Sequence, residues 1–280
     1  MFLTGVAAAL AGCGGKPPVS PTRPRVVSMS PSTTEALYSI GAGGLLVGRS
    51  RFCDHPKDVD TLPVVGGFSD PSIEATLALL PTLVVGAQGP AGPSLAEKLT
   101  AHGIDTYFPR TESFDEIGQM ILGLGARLGR TGEAQVIKWR LEFQLNGVTN
   151  ATKDRPAPRA VMLFDTAPIV VAGPGSFPDE MMRLARSENL ITEGGSYPTI
   201  GLERLIALDP DVLLDGVGAG VEGGSPLLAK RDAPGWRSLK ALANGRVHAL
   251  GSTALRPGPR IGEGIRELAR ALHGPGLVLK

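Results

Sequence analysis

Aromatic residues are scarce in this sequence: eight Phe, three Tyr and two Trp among 280 residues. Those standing outside apolar-periodic segments are therefore informative. Cysteine is nearly absent, and Cys13 and Cys53 alone exclude a disulfide scaffold. Neither sign of charge is in excess. With 28 basic and 27 acidic residues the formal net charge is +1, against the Lys/Arg surplus from which nucleic-acid affinity comes. Past residue 15 no apolar run approaches the ~20 residues of a spanning helix. The four histidines, His55, His102, His248 and His273, form neither HExxH nor an i, i+4 pair, so no metal ligand is assigned. His102, beside a helix-stopping glycine, and His273, near the tail, are expected in solvent. No GKS/GKT P-loop and no G-x-S-x-G elbow occurs, and no catalytic residue is assigned. The run Gly218-Ala219-Gly220-Val221-Glu222-Gly223 matches GxGxxG, but Pro226 and Pro234 leave no room for the full helix a dinucleotide site needs. It reads as a rim loop.

What is present begins with an export pattern. Residues 2–12 are apolar or small and end in Leu10-Ala11-Gly12-Cys13, which resembles a bacterial lipobox with Cys13 as the lipidated residue. The alternative, a buried Cys13 on an N-terminal helix, conflicts with Gly14-Gly15-Lys16-Pro17-Pro18, which cannot continue one. The positively charged stretch that opens such signals is missing, since residues 1–12 contain no Lys or Arg. The expectation is a periplasmic or otherwise extracytoplasmic lipoprotein, held at the membrane by its lipid alone, with residues 1–23 as signal and linker.

The body is written twice. Arg25 to Ser30 is a β-rich run, followed by the helix start Pro31-Ser32-Thr33-Thr34-Glu35, a glycine stop and the strand Leu45-Leu46-Val47. A short helix around Glu74, ended by Pro81, leads into a buried strand and a glycine-rich loop. The same order recurs around Glu203 and Pro210, each glutamate preceding its proline by seven positions. Each copy closes on a last strand, Ile104 to Phe108 and Arg246 to Leu250. This alternation predicts an α/β fold of two similar lobes with mostly parallel sheets, at residues 24–111 and 156–280. Between them, in 112–155, the period turns helical. Phe114, Ile117, Ile121, Leu124 and Leu128 share one face, as do Ile137, Leu141, Leu145 and Val148. The second segment, about 131–152, predicts a stiff helix ~30 Å long joining the lobes.

Phe52, Phe68 and Tyr197 lie in connections rather than in periodic segments. Phe68 and Tyr197 each precede the repeated glutamate by six residues. If the lobes face one another these rings line the cleft, where ligands commonly sit; packing under a loop is the other reading. Arg256, in the rigid turn Leu255-Arg256-Pro257-Gly258-Pro259-Arg260 before the final helix, is either a solvated arginine or a fork for a ligand carboxylate or phosphate.

From about Arg25 to His273 the chain resembles the helical-backbone (class III) substrate-binding proteins of ABC importers, the group that captures cobalamin, haem and iron-siderophores. The resemblance is carried by Arg25-Val-Val-Ser-Met-Ser-Pro-Ser-Thr-Thr-Glu35, Phe52-Cys-Asp-His-Pro56, the two Glu-x6-Pro units and Arg256-Pro-Gly-Pro-Arg260. It implies a monomeric receptor without catalytic residues or cofactor, whose partners are a small-molecule ligand, an ABC permease and its ATPase. It implies that Glu74 and Glu203 dock on permease arginines. The cobalamin-binding branch is the nearest in kind, with Phe52, Phe68, Tyr197 and Arg256 at cleft positions. His55 stands where that branch usually has Tyr, Ser252 where it can carry Asp, and Val170 in place of an aromatic. The implied ligand is cobalamin or another metal chelate in a site including Phe52, His55, Phe68, Tyr197, Ser252 and Arg256. Two alternatives remain: a haem or ferric-siderophore receptor, with His55 or Tyr197 on the iron, and a two-lobed enzyme using cleft Asp or His residues.

Overall fold

The structure, a computed structural model, describes residues 23–67, 69–89, 92–217 and 225–279. Cys13, Phe68 and the glycine run 218–223 therefore lie outside the described residues.

The N-terminal lobe alternates strand and helix: β1 (Val26–Ser28), α1 (Pro31–Ser39), β2 (Leu46–Arg49), α2 (Ile73–Ala78), β3 (Leu83–Val85), α3 (Gly92–Ala101) and β4 (Asp105–Tyr107). Its sheet has the order β2-β1-β3-β4, parallel throughout. Ser30 caps α1, accepting from Thr33 N, and Pro31 occupies the first turn where no N–H is missed. Two helices follow: α4 (Phe114–Leu128) and α5 (Thr131–Thr152). Ser113 caps the start of α4, and Gly129 ends it at φ 66°. The two helices form a tight hairpin because position 125 is glycine. A Cβ there would lie 2.5 Å from Ala134 Cβ.

The C-terminal lobe runs β5 (Arg159–Thr166), β6 (Ile169–Val171), α6 (Phe177–Leu184), β7 (Glu188–Asn189), β8 (Thr199–Ile200), α7 (Leu202–Leu208), β9 (Val212–Asp215), α8 (Lys240–Ala243), β10 (Val247–Ala249) and α9 (Ile261–His273). Its order is β10-β9-β5-β6-β8, with β7 pairing the start of β5. β9, β10 and β7 run parallel to their neighbours, but β5–β6 and β6–β8 are antiparallel, so this sheet is mixed. The expected duplication is thus confined to β1-β3-β4 and β5-β9-β10, while the fourth strand is a parallel crossover in one lobe and a hairpin in the other.

A matched pair of arginines fixes the repeated unit. Arg25 donates from Nη2 to Leu79 O at 2.7 Å and from Nε to Leu80 O at 3.1 Å. Arg159 donates to Leu208 O at 2.8 Å and Asp209 O at 3.1 Å. Each guanidinium satisfies the orphan carbonyls at the end of its short helix. Leu80 (φ 46°) and Asp209 (φ 45°), each just before the repeated proline, adopt a left-handed backbone that L side chains disfavour.

One apolar core passes through both lobes. It joins Val26, Leu37 and Ile40 to Ile117, Ile121, Leu124, Ile137 and Leu141 of the hairpin, and on to Met162, Leu214, Met181, Ile265 and Leu268. The outer faces carry their own clusters, around Val27, Val84 and Leu99 and around Val161, Leu205 and Trp236. The opposite side of α5 leaves Trp139 and Phe143 exposed and stacked at 5.7 Å, a pair that the sequence reading passed over. Among the described residues no helix is long and apolar enough to cross a membrane.

His102 is exposed as expected, but His273 is not in solvent. It is half-buried at the end of α9, its Nε2 2.7 Å from Ala185 O. The tail expectation fails because α9 packs back on the core. Burial, with Arg155, Arg186 and Arg246 nearby, pushes its imidazole below the ordinary histidine range. Burial lowers His248 likewise, with Arg246 adding to the shift.

Two expectations follow from this packing. Arg159→Ala, which strands two carbonyls, should lower unfolding free energy by about 1–2 kcal/mol, and the more exposed Arg25→Ala by less; equal-to-wild-type urea midpoints for both would contradict the clamp. Histidines whose pKa is depressed by folding bind more protons when unfolded, so stability should decline as pH falls below about 6.5. Urea midpoints should be lower at about pH 5.5 than at about pH 7.5, and a flat profile between them would contradict it.

Candidate functional site

Ligands of open α/β sheets sit outside the carboxyl ends of the strands, and polar contacts from the N-terminal part of the chain to the C-terminal lobe run along two seams. At the first seam α1 and the connection after β2 face the turn before α9. Gly258 packs against Ser32, where even a Cβ would come within 3.4 Å of Ser32 Cα. Arg256 places both terminal nitrogens on Asp54, with Nη2–Oδ2 at 2.8 Å, and its Nη1 lies 3.4 Å from Glu35 Oε1. Arg260 donates to the same Glu35, from Nε to Oε2 at 2.8 Å and from Nη2 to Oε1 at 2.7 Å. Two carboxylates of one lobe thus close on two guanidiniums of the other. The Glu35 side chain is 3% exposed and that of Asp54 53%. Hydrogen bonds from Arg256 hold the Asp54 carboxyl below the usual aspartate range.

At the second seam α4 and α6 exchange caps. Phe114 N donates to Glu180 Oε2 at 2.8 Å, and Phe177 N donates to Glu112 Oε2 at 3.2 Å. Carboxylates from each side satisfy the first-turn donors of the other.

Of the aromatics of the sequence reading, Phe52 and Tyr197 are each about half exposed, and Phe68 lies outside the described residues. Phe52 is 51% exposed, beside the bidentate pair Arg51–Asp70. Gly67 makes this arrangement possible, since a Cβ there would meet Asp70 Oδ1 at 2.5 Å and Phe52 Cε2 at 3.0 Å. Tyr197 is 48% exposed and rests edge-on against Phe164 at the end of β5, 5.7 Å between centroids. Burial of its phenol, helped by the nearby Glu112 carboxylate, pushes its pKa up to about 12. Ser252 opens a partly buried 3-10 turn, Ser252–Leu255, just beyond β10. The exposed His55 lines a pocket of about 330 Å³ with Glu35, Tyr38, Arg140, Gln144 and Arg260, at the junction of α1, α5 and α9.

The structure therefore brings His55 together with Arg260, and engages Arg256 with Asp54. Phe52 and Tyr197 make no ring contact with each other: Phe52 neighbours Arg51 in the N-terminal lobe, and Tyr197 meets Phe164 in the C-terminal one. Sequence reasoning missed Glu35, Asp54, Arg260 and Phe164 as site residues. The signal was present in the two arginines four apart at 256 and 260, which call for matching carboxylates.

Two buried groups of a chemically reactive type, Asp215 and Cys53, are held by hydrogen bonds. Asp215, fully buried at the end of β9, accepts from Ser225 Oγ, Leu227 N and Val217 N, and so anchors both ends of the glycine-rich loop. Burial pushes the Cys53 thiol up, and its sulfur takes a hydrogen bond from Thr34 Oγ1 at 3.1 Å. Among the described residues no group of three or more His, Cys, Asp or Glu is placed to hold a metal ion. Glu74 and Glu203 are exposed in the first turns of α2 and α7.

Comparison with known proteins agrees with this architecture. The sequence matches the family described as periplasmic binding protein over residues 26–254. It is 26% identical over 248 residues to a vitamin B12-binding protein of Vibrio campbellii, covering 87% of each chain. It is 26% identical over 259 residues to the uncharacterized ABC transporter substrate-binding lipoprotein YvrC of Bacillus subtilis, covering 89% of this chain and 80% of that one. Among solved structures, the apo periplasmic heme-binding protein RhuT of Roseiflexus sp. RS-1 superimposes with a TM-score of 0.78 at 27% identity, covering 90% of this chain and 98% of that one. With the family matched along most of its length and the two-lobed fold shared, the chain belongs to the periplasmic binding proteins, extracytoplasmic receptors that bind small ligands for ABC importers rather than transform them.

Proposed function

We propose that this protein captures a corrinoid of the cobalamin type between its lobes and delivers it to an ABC permease, whose ATPase supplies the energy. The observation that carries the ligand assignment is the engagement of Arg256 by Asp54 and Glu35. A chelate with peripheral carboxylates needs a free cation in the cleft, and this one is already paired. Two exposed rings, Phe52 and Tyr197, remain as apolar surfaces for the faces of a large ligand. A haem receptor is the second reading, supported by the exposed imidazole of His55 beside the Arg140 and Arg260 guanidiniums. In this proposal Glu74 and Glu203 meet cationic permease residues, one per lobe, and Cys13 carries the lipid.

Exposed carboxylates at matched places on a duplicated fold suit a two-fold partner, and such pairs set register and encounter rate more than affinity. The ligand reading is tested with a non-lipidated Cys13→Ala chain, titrated with cyanocobalamin and haemin. Cyanocobalamin should bind with Kd below ~1 μM and be recovered unchanged. Phe52→Ala with Tyr197→Ala should weaken it about tenfold or more. A Soret shift with haemin and no heat with cyanocobalamin would transfer the assignment to haem. Glu74→Ala combined with Glu203→Ala should leave ligand affinity within about twofold while uptake by cells carrying the transporter falls sharply; normal uptake would remove the docking role.

A further inference from the structure

We propose that Asp54 is a built-in competitor for the cleft arginine and sets ligand specificity by charge: it fills the Arg256 fork with an internal carboxylate, so that the site admits a large chelate without net charge and disfavours one that must place its own carboxylate there. The inference rests on the receptor reading above and names the ligand class that the site turns away.

The four charged groups of the first seam divide into a fixed half and an exchangeable half. Glu35 belongs to α1, is 3% exposed, and takes two hydrogen bonds from Arg260. Withdrawing it would leave a buried charge without a partner, which is strongly unfavourable. Asp54 differs on every count. It lies in the connection after β2, its side chain is 53% exposed, and both its oxygens bond Arg256, with only its own backbone N–H and the nearby Lys57 charge as lesser partners. Swinging out returns it to water, so the exchange is cheap enough to occur.

The geometry of the pair is that of a ligand contact. A guanidinium recognises a carboxylate by two parallel N–H···O bonds, and Asp54 takes both terminal nitrogens in that manner. A ligand carboxylate must therefore displace Asp54 or approach a cation already neutralised, with Glu35 close behind at 3.4 Å from Arg256 Nη1. Either route lowers affinity for the anion. A ligand without net charge meets a closed, neutral pair and loses nothing. Discrimination arises here from an element that repels the wrong ligand, not from an added contact to the right one. The depressed pKa of Asp54 keeps this competitor ionised across the neutral range.

The test uses the full chain carrying Cys13→Ala and, on that background, Asp54→Asn. Haemin, with two propionates, and cyanocobalamin, without net charge, are titrated into each. Asp54→Asn should strengthen haemin binding about tenfold and shift cyanocobalamin binding by a clearly smaller factor. Adding Arg256→Gln should abolish the haemin gain, and Asp54→Glu should keep the original selectivity. Thermal melts establish that each variant is folded. Unchanged or weakened haemin binding in Asp54→Asn overturns the proposal, as does haemin binding by neither chain. An equal shift for both ligands overturns it too, because the pair would then govern lobe spacing rather than selection. A parent chain that prefers haemin to cyanocobalamin refutes the corrinoid reading alone, and the Asp54→Asn comparison still decides the role of Asp54.

Discussion

The two sheets share one apolar core, and the α4–α5 hairpin is the part both lean on. Ile117, Ile121 and Leu124 of α4 and Ile137, Leu141 and Val148 of α5 are buried in the same cluster as the inner faces of β1 and β5. Opening the lobes by a wide hinge would drag this surface into water at about 25 cal/mol per Å². Large apolar interfaces between lobes suppress the relative motion that is otherwise the default. Ligand entry must then depend on what happens at the rims, where the contacts are polar and individually small. The chemistry of the two seams, and not a sweeping closure, is where this fold can respond to its cargo.

The seams differ in kind. The α4–α6 exchange uses carboxylates on backbone N–H groups, contacts that a ligand cannot imitate without unmaking two helix ends. The Glu35–Asp54–Arg256–Arg260 seam uses side chains on both sides. Side chains can rotate away and be replaced by groups of the same chemistry. One edge of the cleft is thus a fixed joint and the other an adjustable one, and the adjustable edge carries the arginine that the sequence reading assigned to the ligand.

What the sequence discloses follows from the range over which each interaction acts. The boundaries of α5 were legible because periodicity and terminal residues act within a few positions. The Glu-x6-Pro repeat was legible for the same reason, and it located the two short helices and the strands after them. The hairpin of β5 and β6 was not, because Ile169-Val170-Val171 reads equally well in either orientation. The clamps at Arg25 and Arg159 were hidden as well, since a guanidinium on backbone carbonyls constrains no other side chain and leaves no pattern. Arg256 was found as a residue but not as a pair: its partner lies 202 positions away, and charge complementarity at that separation exists only once the fold has brought the lobes together.

The arrangement also explains why charge is tolerated where a hydrophobic joint would hold as well. Replacing a buried ion pair by apolar side chains is often neutral or stabilising, so stability alone gives no reason to keep Glu35 under two arginines. An apolar joint, however, would continue the core out to the rim and offer the same surface to every large ligand. Four charges that close to neutrality leave this joint polar and orient the turn before α9 through bidentate bonds; in the role proposed for Asp54 they also keep one cation near the cleft while denying it to an incoming carboxylate. Rigidity is supplied by the shared core and discrimination by the seam, and neither task weakens the other because they rest on different residues.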